Sequence, residues 1–130
     1  MEARRFLERY AKAKSRIVSG LDEMKQLREM AERCSTEFTK NGRAPRHDLG
    51  ELVARIVEAE EETERDIREM EEVRREVMRA IIRVEDARYQ EILLLRYING
   101  KTWEGIAEAT GYSRQWVYKL HAQALQAVQA

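Results

Sequence analysis

The sequence predicts an all-α protein, and three observations carry the prediction. Only six glycines and one proline occur in 130 residues, while Glu, Arg, Ala, Leu and Met abound. That is the composition of long helices rather than of turn-dense sheets. Apolar residues recur in alternating steps of four and three through two long segments, the period of a coiled-coil seam. The end of the chain changes character, to short helices that each follow a capping residue. The architecture expected is a long antiparallel helical hairpin over residues 1–85, followed by a helix-turn-helix module over residues 86–130.

The first arm carries its seam at Phe6, Tyr10, Ala13, Ile17, Gly20, Met24, Leu27, Ala31, Cys34 and Phe38. Arg, Lys and Glu fill most intervening positions, so one narrow stripe is buried and the rest is solvated. Ser19 and Gly20 are the weak point, because a mid-helix glycine costs about 1 kcal/mol relative to alanine and Ser19 with Asp22 can cap a restarted helix. A kink is expected there. Asn41, Gly42 and the only proline, Pro45, end the arm in a turn.

Asp48 and Glu51 have the spacing of an N-terminal capping box. A second seam then runs through Leu49, Leu52, Ile56, Ala59, Thr63, Ile67, Met70, Val73, Val77, Ile81 and Val84. At about 1.5 Å per residue each arm is on the order of 55 Å long, and the short loop folds one back on the other. Charge agrees with that pairing: residues 1–46 hold 12 basic and 7 acidic side chains, residues 47–85 hold 7 and 13. Two helices bury one stripe each, so a second copy or a partner helix is expected to complete the core, and homo-oligomerisation is assigned to residues 1–85.

Conspicuous residues of the arms have ordinary explanations. The acidic run from Glu58 to Glu64 lacks a histidine and reads as a solvated helix face. Cys34 falls on the seam as a small core residue, with no histidine nearby in sequence to activate it. His47 sits at the turn beside the cap. A single cysteine excludes an internal disulfide and a cysteine metal cluster, which fits a reducing, cytoplasmic setting. No apolar run approaches the roughly 18 residues that span a bilayer, and the start of the chain lacks the apolar stretch of a signal peptide.

The chemistry lies in residues 86–130. A strongly apolar helix over residues 87–98 ends at Asn99 and Gly100. Thr102 caps the next helix, Gly111 supplies a left-handed turn residue, and Ser113 caps a last helix reaching about Ala127. A DNA-reading helix-turn-helix needs a small residue where its helices cross, a glycine in the turn and apolar side chains to lock the angle. Ala107, Gly111 and Val117 stand at those places, supported by Ile106, Thr110, Tyr112 and Leu120. With Val117 and Leu120 inward, the outer face of the last helix carries Ser113, Arg114, Gln115, Tyr118, Lys119 and Ala122.

No acidic residue follows Tyr112. An arginine fork matches guanine edges, a glutamine amide matches adenine, and Ser, Tyr and Lys suit phosphate oxygens beside a helix N-terminus. Those six residues, with Thr102, are the candidate contacts to double-stranded DNA. Trp116 can stack on a sugar or anchor the helix inward against Trp103 and the scaffold helix, of which the inward role is the one expected, and His121 is expected to be a surface or phosphate-contacting residue.

Residues 92–125 resemble region 4 of bacterial sigma factors. They are closer still to the ArpU/RinA-like phage-encoded regulators of late operons, with Trp103 and the run Tyr118, Lys119, Leu120 and His121 in common. The resemblance takes in the C-terminal module, about 45 of the 130 residues, with residues 92–125 carrying the motif. It implies promoter contacts by Ser113, Arg114, Gln115, Tyr118 and Lys119, and it makes RNA polymerase a further candidate partner. No segment resembles the sigma region that opens the minus-ten element, and the helical arms take its place.

The expected function is a sequence-specific, double-stranded-DNA-binding transcriptional regulator of phage or prophage origin that oligomerises through its hairpin. The alternatives are a phage DNA-packaging subunit of the small-terminase kind, and an adaptor for RNA polymerase. No nucleophile with a base, no paired carboxylates in a cleft and no phosphate-cradling glycine loop appears, so neither an enzyme nor a cofactor or metal is expected. Zero net charge, from 24 basic and 24 acidic side chains, argues against coating nucleic acid by bulk charge.

Overall fold

A computed structural model of the chain describes residues 2–42 and 48–129, and every regular element among them is helical. Helix α1 spans Ala3–Asn41 and α2 spans Leu49–Ile82. Three shorter helices follow, α3 at Ala87–Leu93, α4 at Trp103–Thr110 and α5 at Arg114–Ala127. Directly after α3, Leu94–Ile98 forms a wider π-helical turn. The chain divides into two compact units, one of Lys14–Arg68 and one of Met1–Ala13 with Glu69–Ala130. Among the described residues no helix is long and apolar enough to cross a membrane.

In the unit Lys14–Arg68, α1 and α2 run antiparallel. Gly20 faces Thr63, and further along α1 Arg28 Nη2 meets Glu60 Oε1 at 2.9 Å, so numbers rise on one helix as they fall on the other. Met24, Leu27 and Cys34 bury against Leu52 and Ala59, with Met30, Ala31 and Ile56 at the edge of the cluster. Cys34 is a core residue, as its place on the seam predicts. Asp48 Oδ1 accepts from the Gly50 N–H at 2.9 Å, which caps the start of α2.

Helix α1 runs through Gly20 as one continuous helix, so no second helix restarts at Ser19. A Cβ at this position would lie 2.7 Å from the Thr63 hydroxyl oxygen, so the glycine lets the two backbones approach closely. Close approach explains a residue that is poor for helix propensity. The seam also overreaches at its ends. Phe38 is 57% exposed and Leu49 38%, because near the loop each helix has little of the other left to cover it. Ile67, also assigned to the seam, is 36% exposed. The turn residue Pro45 and His47 lie outside the described residues.

The other unit joins the base of the hairpin to the C-terminal helices. Leu7 and Tyr10 of α1 pack with Val73, Val77 and Ile81 of α2, and Leu93, Tyr97 and Ala124 complete the same cluster. Here the apolar face must serve two neighbours. It widens accordingly, so that Leu7 is fully buried while Phe6 of the predicted seam packs at the margin. Arg9 Nη1 and Glu76 Oε2 close the outside at 2.8 Å. Asp86 caps α3, accepting from the Arg88 N–H at 2.9 Å, and the Arg88 guanidinium holds its carboxyl below the usual carboxylate range.

The helix predicted over residues 87–98 is not uniform. The Asn99 N–H donates to the Leu94 carbonyl at 2.9 Å and the Lys101 N–H to Leu95 at 3.0 Å, both spanning more than an α-helical turn. Gly100, at φ +67, ends it in the left-handed region. The wide turn leaves Tyr97 buried and delivers the chain to Thr102.

Candidate nucleic-acid interface

The C-terminal helices are held by one small core. Ile92 of α3, Ile106 of α4 and Val117 and Leu120 of α5 are each fully buried against one another. Ala107 and Tyr112 close its edge, so the positions assigned to the helix crossing do pack there. Thr102 Oγ1 accepts from the Gly105 N–H at 3.0 Å and caps α4. Gly111 adopts φ +76 and returns its N–H to the Ala107 carbonyl. This is a left-handed C-cap, which residues with a Cβ adopt only at a cost of about 1–2 kcal/mol. Ser113 Oγ then accepts from the Trp116 N–H at 3.1 Å and starts α5.

With that core behind it, the outer face of α5 is open. Ser113, Arg114, Gln115, Tyr118, Lys119 and Ala122 are all exposed, and so is Thr102 at the start of α4. The set therefore combines a guanidinium, an amide, an ammonium and three hydroxyls near the positive end of a helix macrodipole. These are the donors that phosphate oxygens and major-groove base edges require.

One acidic group enters that face, which the acid-free stretch after Tyr112 gave no reason to expect. Glu104 Oε1, in the first turn of α4, accepts from Arg114 Nη2 across the turn. Both side chains are more than half exposed, so the pair positions the guanidinium more than it stabilises the fold. The sequence signal was available only through the crossing: both residues begin their helices, and the turn brings helix starts together.

Two aromatic assignments are overturned. His121 is 5% exposed, not at the surface, and its Nε2 lies 2.7 Å from the Tyr97 hydroxyl in a buried hydrogen bond. The rings stack at 5.7 Å, and the Trp103 edge meets the imidazole at 4.6 Å. Burial, reinforced by Arg4 and Arg96, lowers the His121 pKa to about 4. Its spacing explains this, because Val117, Leu120, His121 and Ala124 form one stripe of α5. Trp116 precedes that stripe and is 37% exposed, with the Lys119 ammonium 5.6 Å above its ring. Trp103 takes the anchoring role instead, against His121 and Tyr118.

A second layer of contacts steadies the module. Arg96 lies 4.2 Å over the Trp103 ring and donates to the Lys101 carbonyl at 3.0 Å, which clamps the connection between α3 and α4. The Tyr89 hydroxyl donates to Gln123 Oε1 at 3.0 Å, tying α3 to α5. Arg96 and Gln123 were not singled out in the sequence. Arg96 acts across the turn between α3 and α4, five and seven residues along the chain, and Gln123 across 34 residues.

Residues 31–129 match the model of a family described as a protein of unknown function, DUF1492. No curated protein and no solved structure matches.

Proposed function

We propose that this chain, which belongs to the DUF1492 family, is a sequence-specific double-stranded-DNA-binding transcriptional regulator of phage or prophage origin, working as a homo-oligomer joined through the hairpin. The observation that carries the reading is the exposed row Ser113, Arg114, Gln115, Tyr118 and Lys119 on a capped helix whose opposite face is fully buried. A rigid helix with donors on one side and a locked crossing on the other suits entry into a major groove. The resemblance of residues 92–125 to sigma factor region 4 and to the ArpU/RinA-like regulators points the same way.

In this reading Arg114 and Gln115 read base edges, while Ser113, Tyr118, Lys119 and Thr102 contact the backbone. A single module of this size presents few donors, and the C-terminal 45 residues carry a formal charge of only +1. Joining two modules raises the effective concentration of the second for its half-site. Specific affinity then rests on paired contacts, with weak nonspecific binding beneath it.

The test is selection of the full chain against a library of random duplexes, followed by binding assays on the enriched sequence. A motif of two related half-sites, with Arg114→Ala lowering affinity and reducing the salt slope by about one, supports the proposal. Absence of any enriched motif overturns it. The adaptor reading is favoured by one observation, the exposure of two large aromatic side chains, Trp116 and Tyr118, on α5. An Arg114→Ala variant that keeps DNA affinity but loses capture of RNA polymerase selects that reading instead.

A further inference from the structure

The first turns of α1 group with the C-terminal helices, since Met1–Ala13 and Glu69–Ala130 form one compact unit. Leu7 packs there against Leu93 and Tyr97. Arg4, three residues earlier, lies on the same side of the helix and is exposed. Its charge acts on the Tyr97 hydroxyl and on His121. Arg96 adjoins the same pair: its guanidinium lies 4.2 Å over the Trp103 ring and donates to the Lys101 carbonyl at 3.0 Å. Lys101 is exposed and directly precedes Thr102. Trp103 in turn meets Tyr118 of the α5 row, with ring centres 5.4 Å apart. A chain of contacts therefore leads from the donor row of α5, across the start of α4, to the start of α1, and three cations lie along it.

These cations are held but not neutralised. Arg9, Arg88 and Arg114 pair with the carboxylates of Glu76, Asp86 and Glu104, whereas Arg4, Arg96 and Lys101 form no ion pair among the described residues. The charges that act on buried His121 are those of Arg4 and Arg96, with no carboxylate among them; Glu8 is the acidic side chain that acts on Tyr97. Stacking on Trp103 fixes the plane of Arg96 and leaves its charge for an anion.

We propose that Arg4, Arg96 and Lys101 bind the phosphodiester backbone of the duplex beside the groove that α5 enters, so that the first turn of α1 takes part in DNA binding. This rests on the DNA-binding reading above and adds to it a contact outside the helix-turn-helix. One strand carries a phosphate about every 3.4 Å of helix axis, so a backbone held near Tyr118 brings further phosphates past neighbouring cations. Such contacts fix orientation and carry no sequence information. They also supply what the C-terminal 45 residues lack with a formal charge of only +1, because Arg4 comes from outside them.

The test is duplex binding by the full chain, read by fluorescence anisotropy over a salt series, on the sequence enriched by selection and on a random duplex, with helicity checked by circular dichroism. Arg4→Gln, Arg96→Gln and Lys101→Gln should each reduce the salt slope by about 0.9 per chain bound, which is about an eightfold loss of affinity at about 0.1 M salt. The loss should be the same on both duplexes, leaving their ratio unchanged, and Arg4→Lys should keep the slope of the unsubstituted chain. An unchanged slope in Arg4→Gln or Lys101→Gln, a loss confined to the selected duplex, or a slope that falls as far in Arg4→Lys as in Arg4→Gln would each overturn the proposal. A full chain that binds neither duplex sinks the regulatory function and this contact with it. Duplex binding that ignores Arg4 and Lys101 sinks this contact alone.

Discussion

The Tyr97 hydroxyl and His121 Nε2 form a 2.7 Å hydrogen bond inside the C-terminal bundle, joining the π-helical turn to α5. Both side chains belong to the apolar interior, and each supplies the partner that the other's buried polar atom needs. Replacing Tyr97 by Phe keeps the ring and removes the hydroxyl, leaving the imidazole nitrogen unsatisfied. That costs about 1–2 kcal/mol, read as a lower midpoint in urea unfolding with an unchanged slope. A Tyr97→Phe variant as stable as the parent would show that the bond contributes nothing.

The same burial makes stability depend on pH. The His121 pKa is lowered from 6.5 to about 4 in the folded chain, so the unfolded chain takes up its proton first as pH falls. The contribution of His121 is complete above pH 6.5 and is lost progressively down to about pH 4. Unfolding free energy should therefore fall through that window more steeply in the parent than in His121→Gln. Parallel pH profiles for the two proteins would contradict the assignment.

Local signals in the sequence proved legible, and relations between distant elements did not. Thr102, Gly111 and Ser113 each act within three or four residues, and all three do what their identities predict. The four-three seam likewise locates Met24, Leu27, Cys34, Leu52 and Ala59, because one helix facing one partner repeats its burial every turn. At the hairpin base that condition fails. Leu93, Tyr97 and Ala124 add a second neighbour, and burial moves from Phe6 to Leu7. His121 was misjudged by its chemistry although its spacing placed it inward, and Trp116 was misjudged by its size although its spacing placed it outward. Periodicity was the better guide in both cases. The proposal that the outer face of α5 contacts DNA rests on exposure and donor type, which periodicity and residue identity already supply.

The Glu104 to Arg114 ion pair makes a prediction about that interface. If Arg114 contacts DNA, the carboxylate competes with phosphate and base edges for its guanidinium. Glu104→Gln should then raise affinity for duplex DNA by about two- to fivefold, the scale of an exposed ion pair. The gain should vanish in an Arg114→Ala background. A gain that persists there would mean that Glu104 acts by general repulsion of phosphate and not through Arg114.

Gly20 and Thr63 provide a test of close packing in the hairpin. An exposed mid-helix Gly→Ala change stabilises by about 1 kcal/mol through helix propensity and unfolded-state entropy. At Gly20 the new methyl would meet the Thr63 hydroxyl oxygen at 2.7 Å, and Thr63 is itself 4% exposed, with little room to move. Gly20→Ala should therefore destabilise the protein. In a Thr63→Ala background the obstruction is gone, and the same change should stabilise. The reversal of sign is a coupling of about 1–3 kcal/mol, measurable by a double-mutant cycle in urea, whereas simple additivity would show that the helices do not approach at this point.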